Sequence, residues 1–318
     1  MLTVRYAAHG PPGEVLVLSE ERCPPPLRDQ VQVRVLARAI NPMDLLMIRG
    51  HYPIRPPLPA VPGSEGVGVV DAVGDGVSAD WLGQRVALPI RCGTWRAALC
   101  LSPGNLVPVS DDVDPVEQAG LRINGPTAAA LLDSVSAGDW VVQSCATGGV
   151  GQAVSQLAAA RGVRVVGVVR HADRVSAAQA AGADAVVVDG DGLHRRVREA
   201  TGGARAACAF DGVGGACAAR LARCVADGGR VIHYGAMSRR APVLGVADAI
   251  FRGVRLEGFW LKRWNEAAGP ERARQRVAEV AAARLRLEID CVLPLSRLHE
   301  AVAAAERPGR RGKVILRG

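Results

Sequence analysis

Residues 139–162 read DWVVQSCATGGVGQAVSQLAAARG, and this stretch decides the fold. The apolar run DWVVQS is typical of a buried strand, and the alanine-rich segment after it is typical of a helix. Gly148, Gly149 and Gly151 lie between the two. Glycine allows a tight turn and lets a pyrophosphate approach the free N–H groups at a helix start. The stretch therefore predicts a nucleotide-binding turn, with a plain tight turn as the alternative.

Similar apolar runs recur after this turn and alternate with alanine-rich segments. They are VRVVGVVR, AVVVDG, ACAFDGV and GRVIHYG. This alternation predicts a doubly wound parallel sheet. The first 120 residues instead carry many Pro and Gly residues and β-branched runs such as QVQVRVLARAI, which are typical of a β-rich unit. We expect a nucleotide-binding domain over 121–255, inserted in a β-rich domain formed by 1–120 and 256–318.

Composition and charge exclude several classes of protein. The chain has 318 residues, of which 49% are hydrophobic and 22% charged, so it is not a disordered protein. No apolar run reaches about 18 residues, so no membrane association is expected. The net charge of +8 is spread along the chain and aromatics make up only 3%, so nucleic-acid binding is not expected. The N-terminus lacks a signal-peptide pattern, which predicts a cytoplasmic location.

The end of the second predicted strand indicates which cofactor the turn binds. NAD sites usually carry Asp or Glu there, to hold the ribose 2′-hydroxyl. This chain has Arg170 and, four residues later, Arg174. A guanidinium at this place would pair with a 2′-phosphate through charge-assisted hydrogen bonds. The prediction is NADPH in preference to NADH; the alternative is that Arg170 is an ordinary solvated charge.

Motifs along the whole chain resemble the medium-chain dehydrogenase/reductases. They are AINPMD (39–44), RGHYPIRPPLPAVPGSEGVGVVDAVG (49–74), GTWR (93–96), INGPTA (123–128), YGAM (234–237), GFWLKRW (258–264) and GKVIL (312–316). The glycine turn, Arg170, GTWR and GFWLKRW are most similar to zinc-independent trans-2-enoyl-thioester reductases, while quinone oxidoreductases share the Asn-Pro-x-Asp segment. The resemblance implies a Rossmann doubly wound parallel sheet inserted in a β-rich GroES-like catalytic domain, and a homodimer paired through GVRLEGFW.

The residues argue against a metal site. Zinc-dependent relatives have Cys where this chain has Asn41, and His where it has Ser64. They also carry a four-cysteine lobe, whereas this chain has Cys92 and Cys100 alone in that region. Structural zinc needs four ligands and catalytic zinc at least three protein ligands. We therefore expect no metal.

A site without a Lewis acid suits the reduction of a double bond conjugated to a carbonyl. Hydride from the nicotinamide adds to Cβ, charge collects on the carbonyl oxygen, and Cα takes a proton from an acid. A tyrosine hydroxyl, with an ordinary pKa of about 10, is a suitable acid. Tyr52 lies in a Pro-rich loop and matches the family's proton-donating tyrosine. The alternative is that Tyr52 packs or orients the substrate.

The resemblance also assigns cofactor contacts to residues in both predicted domains. They are Asn41, Asn124, Thr127, Thr147, Gly148, Gly149, Val150, Gly151, Arg170, Arg174, Tyr234, Gly235, Ala236, Met237, Phe259, Trp260, Leu261 and Lys313. Two more of these, besides the glycine turn and Arg170, have a structural alternative. Asn41 could cap a helix together with Asp44, and Trp260 could be a core residue.

Three functions follow from these features. The leading hypothesis is an NADPH-dependent, zinc-independent enoyl reductase that acts on a 2-enoyl thioester or a related small α,β-unsaturated carbonyl, with Tyr52 as the proton donor. The second is an NADPH:quinone oxidoreductase, which needs no acid at Cα. The third is an NADPH-binding structural or regulatory protein without turnover.

Overall fold

The computed structural model describes every residue from Met1 to Gly318 and divides into two compact units. The first unit comprises residues 1–123 and 274–318, and the second comprises residues 124–273. The strands are β1 (Leu2–Arg5), β2 (Val17–Glu20), β3 (Val31–Ile40), β4 (Gly66–Val73), β5 (Arg85–Ala87), β6 (Ala98–Leu101), β7 (Val107–Pro108), β8 (Trp140–Gln143), β9 (Arg164–Val169), β10 (Ala185–Val188), β11 (Ala206–Asp211), β12 (Val225–His233), β13 (Arg255–Gly258), β14 (Ile289–Pro294) and β15 (Lys313–Arg317). The helices are α1 (Pro12–Val15), α2 (Pro42–Ile48), α3 (Pro115–Gln118), α4 (Asn124–Leu132), α5 (Gly149–Ala160), α6 (Val175–Ala180), α7 (Leu193–Ala200), α8 (Ala216–Ala222), α9 (Val246–Ile250), α10 (Leu261–Ala282) and α11 (Leu298–Glu306).

The second unit is built on a six-stranded sheet in the order β10-β9-β8-β11-β12-β13. All five strand pairs are parallel. The strands read as nearly continuous apolar runs because helices cover both faces of such a sheet. Val142, Val166, Ala209 and Val231 from four neighbouring strands belong to one buried core cluster. The order steps outward in both directions from β8, which confirms the prediction of a doubly wound parallel sheet.

The first unit contains a seven-stranded sheet with the path β14-β15-β3-β4-β5-β7, in which β6 also pairs with β3. Its pairs are antiparallel except for β14 with β15. The long strand β3 alternates buried and less buried side chains over its first half, as expected when one face of a sheet is solvated. Trp95 is fully buried in a core cluster together with Leu293 and Leu316 from the C-terminal strands. This unit confirms the predicted β-rich domain.

The boundaries of the units differ from those that the sequence predicts. We expected the nucleotide-binding domain to span 121–255, whereas the second compact unit spans 124–273. The difference at the C-terminal side arises because β13 pairs in parallel with β12 and completes the six-stranded sheet. The chain therefore returns to the first unit only within α10, after residue 273.

The last two helices have irregular features. Helix α10 begins at Leu261 and is interrupted at Gly269, where φ is 82°. Helix α11 begins at Leu298, after a short 3₁₀ turn. None of the helices is both long and apolar enough to span a lipid bilayer.

Candidate active site

The glycine turn lies between β8 and α5, and its geometry requires glycine. A Cβ atom at Gly151 would lie 2.4 Å from the carbonyl oxygen of Cys145, and one at Gly149 would lie 3.0 Å from the Asn124 amide. Helix α5 has Gly148 at its N-cap, where no side chain caps the helix. The first N–H groups of a helix have no partner within it, so this turn presents donors to an anion.

Asn124, at the start of α4, adds a further donor beside this turn. Its side chain is buried, and its Nδ2 atom has no hydrogen-bond partner. A buried amide without a partner is costly unless a ligand completes its hydrogen bonds. Thr127, three residues later in α4, is also buried. These observations fit a nucleotide held against Gly149.

Arg170 lies directly after β9 and is exposed. Its guanidinium forms no hydrogen bond or ion pair within the chain, so it is available to an anionic ligand. Arg174, one turn later, is half-buried and engaged within the chain. Of the two arginines, Arg170 is therefore the one whose position suits a 2′-phosphate.

A buried carboxylate joins the ends of three neighbouring strands. Asp211, at the end of β11, accepts hydrogen bonds from Ser144 Oγ at 2.8 Å and from the N–H groups of Val213 and Gly214 at 2.9 and 3.0 Å. His233 Nδ1, at the end of β12, lies 3.0 Å from Oδ2 of Asp211, the oxygen that also accepts from Gly214. Asp211 thus fixes the loop after β11. None of the motifs above marks this residue, although an acid that ends an apolar strand is a usable signal.

Residues 234–237, which follow β12, pack against the loop that follows β11. A Cβ atom at Gly212 would lie 2.9 Å from the hydroxyl of Tyr234. Burial, with the nearby Cys145 and Asp211, raises the pKa of Tyr234 well above 10 and keeps it protonated. Ala236 and Met237, which follow Tyr234 and Gly235, are exposed.

The remaining predicted residues of the second unit follow β13. The N–H of Phe259 donates to the carbonyl oxygen of His233 at 2.8 Å. Trp260 is half-buried, with the ammonium of Lys262 5.4 Å from its ring centroid, so it is not a core residue. Leu261 is buried. Because these residues and the glycine turn all follow parallel strands, they lie at the carboxyl edge of one sheet, where doubly wound folds bind ligands.

In the first unit, Lys313 and Asn41 belong to a buried polar cluster around Glu65. Lys313 Nζ donates to Asn41 Oδ1 at 2.8 Å and to Glu65 Oε1 at 3.3 Å. Asn41 Nδ2 also donates to Glu65 Oε1, at 2.8 Å. The other carboxylate oxygen accepts from the N–H groups of Arg122 and Ile123, at 3.1 and 3.0 Å. Glu65, which sequence analysis did not select, therefore anchors the segment that precedes Asn124.

Asp44 extends this cluster and is fully buried. Its carboxylate accepts hydrogen bonds from the N–H of Asn41 at 2.8 Å and from the hydroxyl of Ser64. Burial raises the pKa of Asp44 to about 6, although the hydrogen bonds from Ser64 and Asn41 oppose this shift. Asn41 is the N-cap of α2, so the predicted alternative of a capping role with Asp44 agrees with these contacts.

These donors do not fit a zinc ion. Zinc is held in proteins by Cys, His and carboxylate ligands. The cluster offers an amide, a hydroxyl and carboxylates that are already hydrogen-bonded, and an ammonium supplies its positive charge. No group of three or more His, Cys, Asp or Glu side chains is arranged to hold a metal.

The three tyrosines occupy different environments. Tyr6 is 2% exposed and packs in the core of the first unit. Tyr52 is half-buried and lies in an irregular loop after α2, where its side chain has contacts within the chain. The predicted cofactor residues of the second unit thus lie at one edge of its sheet. In the first unit, Asn41 contacts Lys313, and Tyr52 lies on a separate loop. The roles assigned to these residues stay predictions.

Known proteins similar to this chain include an enoyl reductase and a quinone oxidoreductase. Protein-family models for an alcohol dehydrogenase GroES-like domain and a zinc-binding dehydrogenase match residues 27–108 and 149–279. The chain is 32% identical to the human mitochondrial enoyl-[acyl-carrier-protein] reductase over 330 residues, covering 98% of this chain and 87% of the relative. A mycobacterial quinone oxidoreductase is 28% identical, with a TM-score of 0.86 and full coverage of both chains. A mycobacterial protein solved with NADPH is 29% identical, with the same TM-score and coverage.

Proposed function

Because the chain belongs to the medium-chain dehydrogenase/reductase family, in the group of enoyl reductases and quinone oxidoreductases, we propose that it reduces the C=C bond of a 2-enoyl thioester or a related α,β-unsaturated carbonyl. The observation that carries this choice is the similarity to an enoyl-[acyl-carrier-protein] reductase over 98% of the chain, a span that includes the Tyr52 loop. The cofactor is NADPH, and the reaction proceeds without zinc.

The residues of the second unit fit a dinucleotide. The turn at Gly148–Gly151 would hold the pyrophosphate, the Asn124 amide without a partner would donate to the cofactor, and Arg170 would pair with the 2′-phosphate. NADPH, when bound, supplies the hydride that adds to Cβ of the substrate. The similarity to a mycobacterial protein solved with NADPH supports this cofactor.

The protein's own contribution to the reaction is a proton and an oriented site. Addition of hydride to Cβ leaves an enolate, with negative charge on the carbonyl oxygen. Tyr52 then donates its hydroxyl proton to Cα, and this protonation converts the enolate to the saturated acyl group. Position supports this role, because Tyr52 is half-buried and lies in an irregular loop. Tyr6 is core, and Tyr234 lies over Gly212 in the second unit.

The cluster around Glu65 supports a mechanism without zinc. At Asn41, where zinc-dependent relatives carry a cysteine ligand, the side chain holds the ammonium of Lys313 instead. A metal would have to displace a buried cation that Glu65 already neutralises. Lys313 and Asn41 thus support the site indirectly, by fixing Glu65 and the segment at 122–123.

We also propose that the protein forms a homodimer through the edge of the six-stranded sheet. Strand β13 is an edge strand, and an unpaired edge tends to pair with another chain. Phe251, Val246 and Ile250, between β12 and β13, are 82%, 71% and 67% exposed. Light scattering on a sizing column tests this, since a monomer at micromolar concentration would exclude the dimer. The predicted cytoplasmic location stays a prediction, because the human relative is named as mitochondrial.

The second candidate is an NADPH:quinone oxidoreductase, and the similarity to a mycobacterial quinone oxidoreductase along the full chain favours it. In that reaction a quinone takes the hydride and no carbon has to be protonated. Tyr52 would then have no role as an acid.

The deciding experiment measures NADPH and NADH oxidation with crotonyl-CoA and with 1,4-benzoquinone, for the native protein and for Tyr52→Phe. Enoyl reduction predicts turnover of crotonyl-CoA that falls about 100-fold in Tyr52→Phe. Turnover of the quinone alone would establish the second candidate. Cofactor binding without turnover of either acceptor would favour the third prediction, a regulatory protein.

A further inference from the structure

The first unit contains a pocket that neither the glycine turn nor the Glu65 cluster uses. Its volume is about 310 Å³. One wall is the proline-rich segment 56–61, and the opposite wall is the turn at 91–93 together with Arg5 and Arg96. Part of this turn and Arg96 belong to the GTWR motif, for which the proposed mechanism has no role.

The pocket is positively charged. Three arginines line it, namely Arg5, Arg91 and Arg96, and no carboxylate does. Glu21 pairs with Arg5, with Arg5 Nη2 donating to it at 2.8 Å. Counting this one carboxylate against the three guanidinium groups leaves a net charge of +2. A concave site with this charge attracts an anion.

Arg96 is held in place by the turn that it closes. Its Nε donates to the carbonyl oxygen of Gly93 at 2.8 Å, and its own carbonyl oxygen accepts from Arg38 Nη1 at 3.2 Å. The preceding residue, Trp95, is fully buried and fixes the backbone. The Arg96 guanidinium is therefore positioned before any ligand arrives, which lowers the entropy cost of binding.

Arg91 is the unpaired cation of the pocket. Its side chain forms no hydrogen bond or ion pair, whereas its N–H donates to the carbonyl oxygen of Ser64 at 2.9 Å. The backbone of Arg91 has a φ of 64°, a left-handed conformation that favours glycine. Strained backbone of this kind is concentrated at functional sites.

The position of the pocket connects it with the substrate. The segment 56–61 that walls it continues the loop that carries Tyr52. An anion bound there would therefore contact the segment that directly continues the Tyr52 loop. On the basis of the proposed function, we propose that this pocket binds the phosphate of the pantetheine arm that carries the enoyl group, as found in both CoA and phosphopantetheinylated carrier proteins. Guanidinium groups bind phosphate through paired, charge-assisted hydrogen bonds.

The test compares two thioesters that differ only in this phosphate, crotonyl-phosphopantetheine and crotonyl-pantetheine. For the native protein, we expect the ratio of their kcat/KM values to be at least about 10 in favour of the phosphorylated form, which corresponds to about 1.4 kcal/mol. Arg91→Ala should lower this ratio about tenfold, and Arg91→Lys should restore part of it. Arg195→Ala, which removes an exposed charge of α7, should leave the ratio unchanged.

A native ratio near 1, or one that Arg91→Ala does not change, would overturn the proposal. Crotonyl-CoA and a crotonyl-loaded carrier protein identify the source of the phosphate, since the natural carrier is the one whose KM rises in Arg91→Ala. If the native protein reduces no thioester, the proposed function fails, and calorimetry with inorganic phosphate, on protein whose glycine turn is filled with saturating NADPH, tests the pocket separately. Binding that weakens in Arg91→Ala would then support the phosphate site, and absence of binding would exclude it.

Discussion

The ammonium nitrogen of Lys313 lies 2.8 Å from Oδ1 of Asn41, and both side chains are buried. These residues are 272 positions apart and join the last strand of the chain to the start of α2. Glu65 lies 3.3 Å from the same ammonium and neutralises it. A buried ion pair between Lys313 and Glu65, joined by the Asn41 amide, thus ties these distant parts of the chain together.

Removing Lys313 should destabilise the protein strongly. In Lys313→Met, Glu65 would remain as a buried charge without its cation, which costs about 3–5 kcal/mol in the free energy of unfolding. The double variant Lys313→Met, Glu65→Gln should recover part of this loss, because the uncompensated charge is gone. Urea unfolding measures both effects.

Lys262 provides the matched control for this prediction, since it is the chain's other lysine and pairs with Glu266 on the surface of α10. Lys262→Met should change the stability by less than about 1 kcal/mol. Equal effects of the two lysine variants would contradict the assignment of a buried pair at Lys313.

Loss of the Asp44 proton should lower the free energy of unfolding as pH rises from about 4 to about 6. Burial raises the pKa of its carboxyl to about 6 in the folded state, above the usual 3.8. Between these values the folded state binds the proton and the unfolded state has lost it, so stability decreases with increasing pH. This difference in pKa corresponds to about 3 kcal/mol in the free energy of unfolding. That contribution is present below pH 4 and lost above pH 6.

The measurement compares urea unfolding of the native protein and Asp44→Asn at pH 4, 5, 6 and 7. The stability of the native protein relative to the variant should fall across this range and level off near pH 7. Asp71→Asn, which alters an exposed acid paired with Arg34, serves as the control for the loss of one carboxylate. A constant difference for Asp44→Asn would show that Asp44 does not titrate in this window.

Gly151→Ala should weaken both the fold and cofactor binding. The added methyl group would lie 2.4 Å from the backbone carbonyl of Cys145, so the turn would have to move, at a cost of about 1–3 kcal/mol. NADPH affinity, followed by fluorescence titration, should fall at least about tenfold. Gly13→Ala in α1, where a methyl group would meet nothing within 4 Å, should be neutral. If the two alanine variants bind NADPH equally well, the turn does not hold the cofactor.

Local patterns in the sequence predict the elements of this fold well, but they do not predict the contacts between distant residues. The glycine turn and the apolar runs around it are contiguous in sequence, and they correctly predict the doubly wound sheet. The second compact unit extends to residue 273, beyond the predicted 255, because β13 pairs with β12, a pairing that no local pattern reveals. Similarly, the motifs mark Asn41 and Lys313 separately, whereas Glu65, which joins them, follows only from the folded structure.

Arg170 should determine the preference for NADPH. Its guanidinium has no partner within the chain and lies at the end of β9, so its removal should leave the fold intact. A charge-assisted hydrogen bond contributes about 1.5–3 kcal/mol, so Arg170→Ala should lower kcat/KM for NADPH by roughly 10- to 100-fold. The value for NADH, which lacks the 2′-phosphate, should change less than about threefold. Arg195→Ala removes an equal charge from α7 and should alter neither value. A parallel loss with both cofactors in Arg170→Ala would show that this arginine does not recognise the 2′-phosphate, and Arg174 would then be the next residue to exchange.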